Sequence, residues 1–139
     1  MAALAAPRMT NHLGEGAVIQ LLRVPLAAST KIWAGSLVMI DGGYLKPAAA
    51  ATGKKVVGRA RATFDNSAGS AGAVTGEVER GTFGWAIGTS GDALTQADVG
   101  ATVYAIDDQT VGKTDGSGAR SAAGTLWQLE DGLAYVESY

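Results

Sequence analysis

Glu77 and Glu79 are the side chains in this sequence best spaced for chemistry. Two positions apart on an extended strand, they share a face and lie roughly 6.5–7 Å apart at the backbone. At that separation two carboxylates can divide acid and base roles in glycoside hydrolysis. Thr75 precedes them on the same face, and Thr-Glu-Glu is the usual composition of a solvated strand surface, which is the reading adopted. Asp107, Asp108 and Asp115 supply three carboxylates in a glycine-containing stretch, so calcium is considered. Gln109 and Val111 break the alternation of oxygen ligands that an EF-hand loop needs. Turn chemistry is the expectation there, with an irregular calcium site as the alternative. Gly53-Lys54-Lys55 ends a segment faintly like a phosphate loop, but Ala48 and Lys55 occupy positions that require glycine and a hydroxyl. The single histidine, His12, lies between Asn11 and Leu13 with no sign of a pocket. No catalytic residue, metal ligand or cofactor site is assigned, and the chain is expected not to be an enzyme.

The elements that would position such groups are short. Ser36 to Ile40 is an apolar run closed by Asp41-Gly42-Gly43, a hairpin signal, and Tyr44 to Lys46 leads back to Pro47. Val74, Gly76 and Val78 alternate with Thr75, Glu77 and Glu79. Beyond Gly81, Phe83, Trp85 and Ile87 alternate with Thr82, Gly84 and Ala86, so the two segments read as a half-buried antiparallel pair with an aromatic interior. Further strands are expected over Thr102 to Ile106, Gly124 to Leu129 and Leu133 to Glu137, the last two joined by Glu130-Asp131-Gly132. Leu94 to Gly100 supports one helical turn, with Thr95 as its cap. The fold class is all-β: a small barrel or sandwich of about eight short antiparallel strands, with no repeat of fixed period.

The chain has 139 residues, 20 of them glycine, 3 proline and none cysteine. That length suits one domain, and the missing cysteines exclude disulfides and thiolate sites. Eleven basic residues against 13 acidic ones leave no concentrated positive surface, so nucleic acid is not an expected partner. The apolar stretch Ala17 to Leu26 is interrupted by Gln20, Arg23 and Pro25, so no membrane-spanning segment is read. Pro7 and Pro25 break residues 1–30, which are read as an extended N-terminal arm ahead of a β domain at 31–139. One part of it, Ala17 to Val24, could be a strand or a short helix; its β-branched content favours a strand, which Pro25 places at an edge or end. Within the arm, Arg8, Met9, Leu13, Ile19, Leu21, Leu22 and Arg23 are the candidate partner-contact residues: apolar anchors and two cations that the arm cannot bury alone.

The stretch Leu94 to Val111, continuing through Asp115-Gly116, Gly118 to Ser121 and Ala123-Gly124, resembles the head decoration, or capsid cement, proteins of tailed bacteriophages. Lys55-Val56-Val57-Gly58 and Gly81-Thr82-Phe83 extend the resemblance over roughly residues 35 to 139. It implies a structural virion protein on the outer surface of the phage head. It further implies a homotrimer that stabilises the lattice of the major capsid protein, with an extended arm on the capsid subunits. The lead from Met1 to Thr30 is longer than in compact members. A carbohydrate- or receptor-binding β-module of a tail fibre is the alternative, with Trp33, Trp85 and Trp127 as stacking residues.

Overall fold

The computed structural model describes residues 2–10 and 20–138. It is all-β, as expected, but holds twelve strands where about eight were read. They are β1 (Gln20–Pro25), β2 (Thr30–Ile32), β3 (Leu37–Asp41), β4 (Tyr44–Pro47), β5 (Lys55–Ala60), β6 (Phe64–Asn66), β7 (Thr75–Arg80), β8 (Thr82–Ile87), β9 (Thr102–Ala105), β10 (Thr110–Gly112), β11 (Ala122–Glu130) and β12 (Leu133–Glu137). Both predicted hairpins form, β3–β4 closing at Asp41 and Tyr44 and β11–β12 at Glu130 and Leu133. The expected helical turn forms over Gln96–Asp98, where the Thr95 amide donates to Asp98 Oδ2 at 2.8 Å, and a second, unexpected turn spans Ser90–Asp92.

The strands build two barrels. In the first, β1, β7, β5, β3 and β4 lie side by side, every neighbour antiparallel. Its two edges meet where Leu26 bridges Leu45 in parallel and the Ala27 amide donates to Leu45 O at 3.1 Å. In the second, β8, β12, β11, β9 and β10 close completely, with β10 parallel to β8. A short ribbon of β2 and β6 is appended to the first barrel.

The barrels are one topology used twice, and their registers match row by row. Leu37–Arg59–Glu79–Leu21 across the first barrel corresponds to Thr102–Thr125–Glu137–Thr82 across the second. Leu22 pairs with Val78 as Phe83 pairs with Val136, and Val38 pairs with Gly58 as Val103 pairs with Gly124. Even the closing parallel contact repeats, Leu26 beside Leu45 and Ile87 beside Val111. No fixed period betrays this in the sequence, because the turns and the β2–β6 ribbon make the spacing between matched residues change along the chain. Gly58 and Gly124 mark it best. Their φ angles are +141° and +149°, and a Cβ on either would strike a backbone carbonyl of the neighbouring strand, that of Glu79 or Glu137.

Two expectations are corrected here. Segments β7 and β8 do not pair with each other: β7 lies between β1 and β5, and β8 between β12 and β10. Gly81 alone is too short for a hairpin loop, so the chain crosses from one barrel to the other. Ser138 pins the crossover, its amide donating to Gly81 O at 2.9 Å and its Oγ accepting from the Gly81 amide at 2.9 Å. The arm boundary also moves. Gln20–Pro25 is a full strand of the first barrel and Leu26 is wholly buried, so the body begins near residue 20 rather than 31. Val24, placed at the strand's inward register opposite Gly76, explains why: pairing buries apolar surface that an arm would leave in water.

The interior of the first barrel holds Val24, Leu26, Ile32, Val38, Leu45, Ala60 and Val78. A second cluster joins the interior of the other barrel (Phe83, Trp85, Val103, Leu126, Val136) to Leu37, Met39 and Val56 on the first barrel's outer face. The shared cluster makes the two barrels one folding body. The inward face read for Phe83 and Trp85 is as expected: both are almost fully buried, with ring centroids 6.5 Å apart in an edge-to-face arrangement.

Candidate functional site

Residues 2–10 form a strap across both barrels. Gln109 Nε2 donates to Ala2 O at 2.6 Å, and the Leu4 amide donates to Asp108 Oδ1 at 2.6 Å, which holds one end on the second barrel. The Arg8 amide donates to Ala34 O at 3.0 Å, Thr10 Oγ1 donates to Gly35 O, and Arg59 donates to Thr10 O, which holds the other end on the first. The Arg8 guanidinium lies 5.5 Å from the centre of the Trp85 ring and donates to Gln109 O at 3.3 Å. Such a cation over an indole is attracted by the ring quadrupole. Arg8 is therefore engaged within the molecule rather than presented to a neighbour.

The other contact residues divide. Met9 is 94% exposed, beside a cleft of about 210 Å³ whose walls include Thr10, Gly35, Arg59 and Arg61. Leu21 and Leu22 are 46% and 44% exposed on β1. Arg23 is exposed and faces Glu77, at 3.7 Å. Leu13 and Ile19, like His12, lie outside the described residues. Met9, Leu21, Leu22 and Arg23 thus form the accessible part of the expected contact set.

Glu77 and Glu79 do share one face, but that face is not simply solvated. Glu79 is buried and paired with Arg59 at 2.5 Å, with Arg61 at 4.0 Å. Glu77 stands between Arg23 at 3.7 Å and Arg61 at 3.9 Å. Each carboxylate faces guanidinium groups from the flanking strands, so the pair ties β1, β7 and β5 together. Arg59 also stacks 4.4 Å from the centre of the Phe83 ring, linking this charged row to the second barrel.

Of the three aspartates, Asp107 does turn work with its side chain, whereas Asp115 contributes its backbone carbonyl and Asp108 holds the distant Leu4 amide. Asp107 Oδ1 accepts from the Gln109 amide at 2.9 Å, a local side-chain turn, and Asp115 O accepts from the Arg120 amide at 3.0 Å. Among the described residues no three acidic or histidine side chains converge in a way that could hold a metal. Calcium addition or chelation should leave the melting temperature unchanged. A site filled at a hundredfold excess over its dissociation constant would add about 2.7 kcal/mol, readily seen in a thermal melt.

Asp108 was missed as a structural group, and only its place in a doubled aspartate hinted at it. It is almost fully buried beneath the strap. Burial pushes its carboxyl above the ordinary carboxylate range, aided by the nearby Asp107 charge and opposed by the Leu4 amide and Arg8. The folded state therefore favours the protonated acid, because burial outweighs the Leu4 amide and Arg8. Its contribution is fully present at pH below the unfolded carboxylate value and declines as pH rises through the raised one. Urea unfolding at a series of pH values should show that decline in the native chain. Asp108→Asn, which keeps an acceptor for Leu4 but no charge, should flatten that part of the profile.

The tryptophans also separate. Trp85 is core, and Lys31 Nζ sits 4.0 Å over the ring of Trp33. Trp127 is 58% exposed, at the position where the β11–β12 register shifts between Leu126 and Gln128. A bulge of this kind re-aims a side chain out of the pleat. On the same strand, Gln128 Nε2 donates to Glu130 Oε2 at 2.7 Å. Compared with protein-family models, with curated proteins and with solved structures, the chain finds no match.

Proposed function

We propose that this chain is a structural virion protein that binds the outside of a tailed-bacteriophage head and stabilises the lattice of the major capsid protein. The role is one of binding, without catalysis or cofactor, and its working unit is a homotrimer, as the resemblance implies. The observation that carries the reading is the placement of Met9 and Leu21: large apolar side chains exposed on the strap and first strand of a body locked by a shared core. Apolar groups held out on a stiff support lose little freedom on docking, which favours attachment to a repeated surface. The test is imaging of the particles of a phage that encodes the chain. Density for two small barrels on the outer face of the head supports the proposal; particles without the chain on their heads oppose it.

Exposed Trp127 favours a second reading, a carbohydrate- or receptor-binding module of a tail fibre. An exposed aromatic ring can stack on a sugar. Binding to a glycan array that Trp127→Ala abolishes would support that reading, as would location of the chain at fibre tips.

A further inference from the structure

Within the chain, one barrel caps the other. Leu37, Met39 and Val56 on the outer face of the first barrel pack against the cluster containing Phe83 and Trp85, and the Arg59 guanidinium covers Phe83. Phe83 is 1% exposed as a result. Leu22 holds the matching position in the first barrel, inward on the first strand and opposite Val78 as Phe83 is opposite Val136. Yet Leu22 is 44% exposed. The β2–β6 ribbon packs Ile32 and Phe64 onto the first barrel's core, but among the described residues no barrel face covers Leu22 as the first barrel covers Phe83.

The missing cap exists at the other end of the same molecule. On the second barrel, Thr102, Tyr104, Ala122 and Thr125 occupy the positions of Leu37, Met39, Val56 and Arg59. Trp127 follows on the same strand, where Arg61 follows β5. None of these five side chains is charged, and Trp127 is the most exposed aromatic among the described residues. Glu137 is exposed in the same row, while Arg23 and Arg80 are exposed around Leu22, so the two surfaces also differ in sign. We propose that the outer face of the second barrel of one copy, centred on Tyr104 and Trp127, seats on the open mouth of the first barrel of another copy around Leu22. The intermolecular contact repeats the intramolecular one. It is head-to-tail, so it closes into a ring or continues as a filament, and it does not depend on the capsid reading. A buried tryptophan at the centre of such a contact carries a large share of its energy.

Sedimentation velocity of the full chain across a concentration series tests this. The unmodified chain should self-associate. Leu22→Asp and Trp127→Asp should each weaken association at least about tenfold, with melting temperatures near that of the unmodified chain. If Leu22→Asp melts early, Leu22→Ser is read in its place. An equimolar mixture of the two variants should form a dimer, because each keeps the surface that the other has lost. A native chain that stays monomeric, variants that associate like the native chain, or a mixture that stays monomeric would each overturn the proposal.

Discussion

Trp85→Ala should destabilise the protein by about 3–5 kcal/mol, the range for large aromatic truncations in cores. For a chain of this size that is a fall of roughly 10–20 °C in melting temperature. The side chain is 1% exposed, meets Phe83 edge-on at 6.5 Å and carries the Arg8 guanidinium on its face at 5.5 Å. Truncation would leave a cavity at the junction of both barrels and the strap, lined by groups from all three. A loss below about 1 kcal/mol, typical of surface positions, would contradict the shared core. Trp127→Ala, at an exposed position of the single chain, should change stability by no more than about 0.5 kcal/mol when measured at concentrations where the chain is monomeric.

Gly124→Ala and Gly58→Ala should be nearly as damaging, each costing roughly 2–5 kcal/mol by strain and overpacking together. Both residues adopt a backbone conformation that side chains rarely tolerate, and an added methyl would meet a carbonyl oxygen of the paired strand. A carbonyl in a ladder cannot swing aside as a flexible side chain can. Gly91→Ala is the control: it has open space around it and no left-handed backbone, and a change within about 0.5 kcal/mol is expected. Chemical denaturation of the three variants reads the difference. Similar losses at 58 and 124 would also support the equivalence of the two barrels.

Local pattern carried the hairpins and the aromatic face into the sequence reading, because turn residues and two-residue alternation act over a few positions. Asp41-Gly42-Gly43 and Glu130-Asp131-Gly132 close hairpins in the structure as their composition indicates. Pairing between distant strands left no such mark. Whether β7 turns back on β8 or crosses to another barrel depends on Gly81, on Ser138 far along the chain and on the partners available to each strand. The strand character of Ala17 to Val24 was legible in its β-branched residues, but the segment fits no local hairpin and so read as part of an arm; the partner of β1, β7, is fifty residues away or more. Repeat equivalence was hidden for the same reason. It resides in registers such as Leu22–Val78 and Phe83–Val136, where leucine and phenylalanine fill one role.

The exposure of the candidate contact residues was legible for Met9, Leu21 and Leu22, but their geometry was not. Leu21, Leu22 and Met9 are exposed as an interaction surface requires, whereas Arg8 turns inward to Trp85 because an indole face and the Gln109 carbonyl lie within its reach. Glu79 was read as solvated because alternation gives the face of a strand but not what covers it. Arg59, and the strap bonded to it through Thr10, supply the cover.

The proposed role is tested most directly on heads that lack the protein. Such heads, incubated with the purified full chain, would be sedimented, and their rupture temperature compared with that of untreated heads. The account predicts that the chain sediments with the heads and raises the temperature at which they rupture. A chain that stays in the supernatant, with the rupture temperature unchanged, would contradict it.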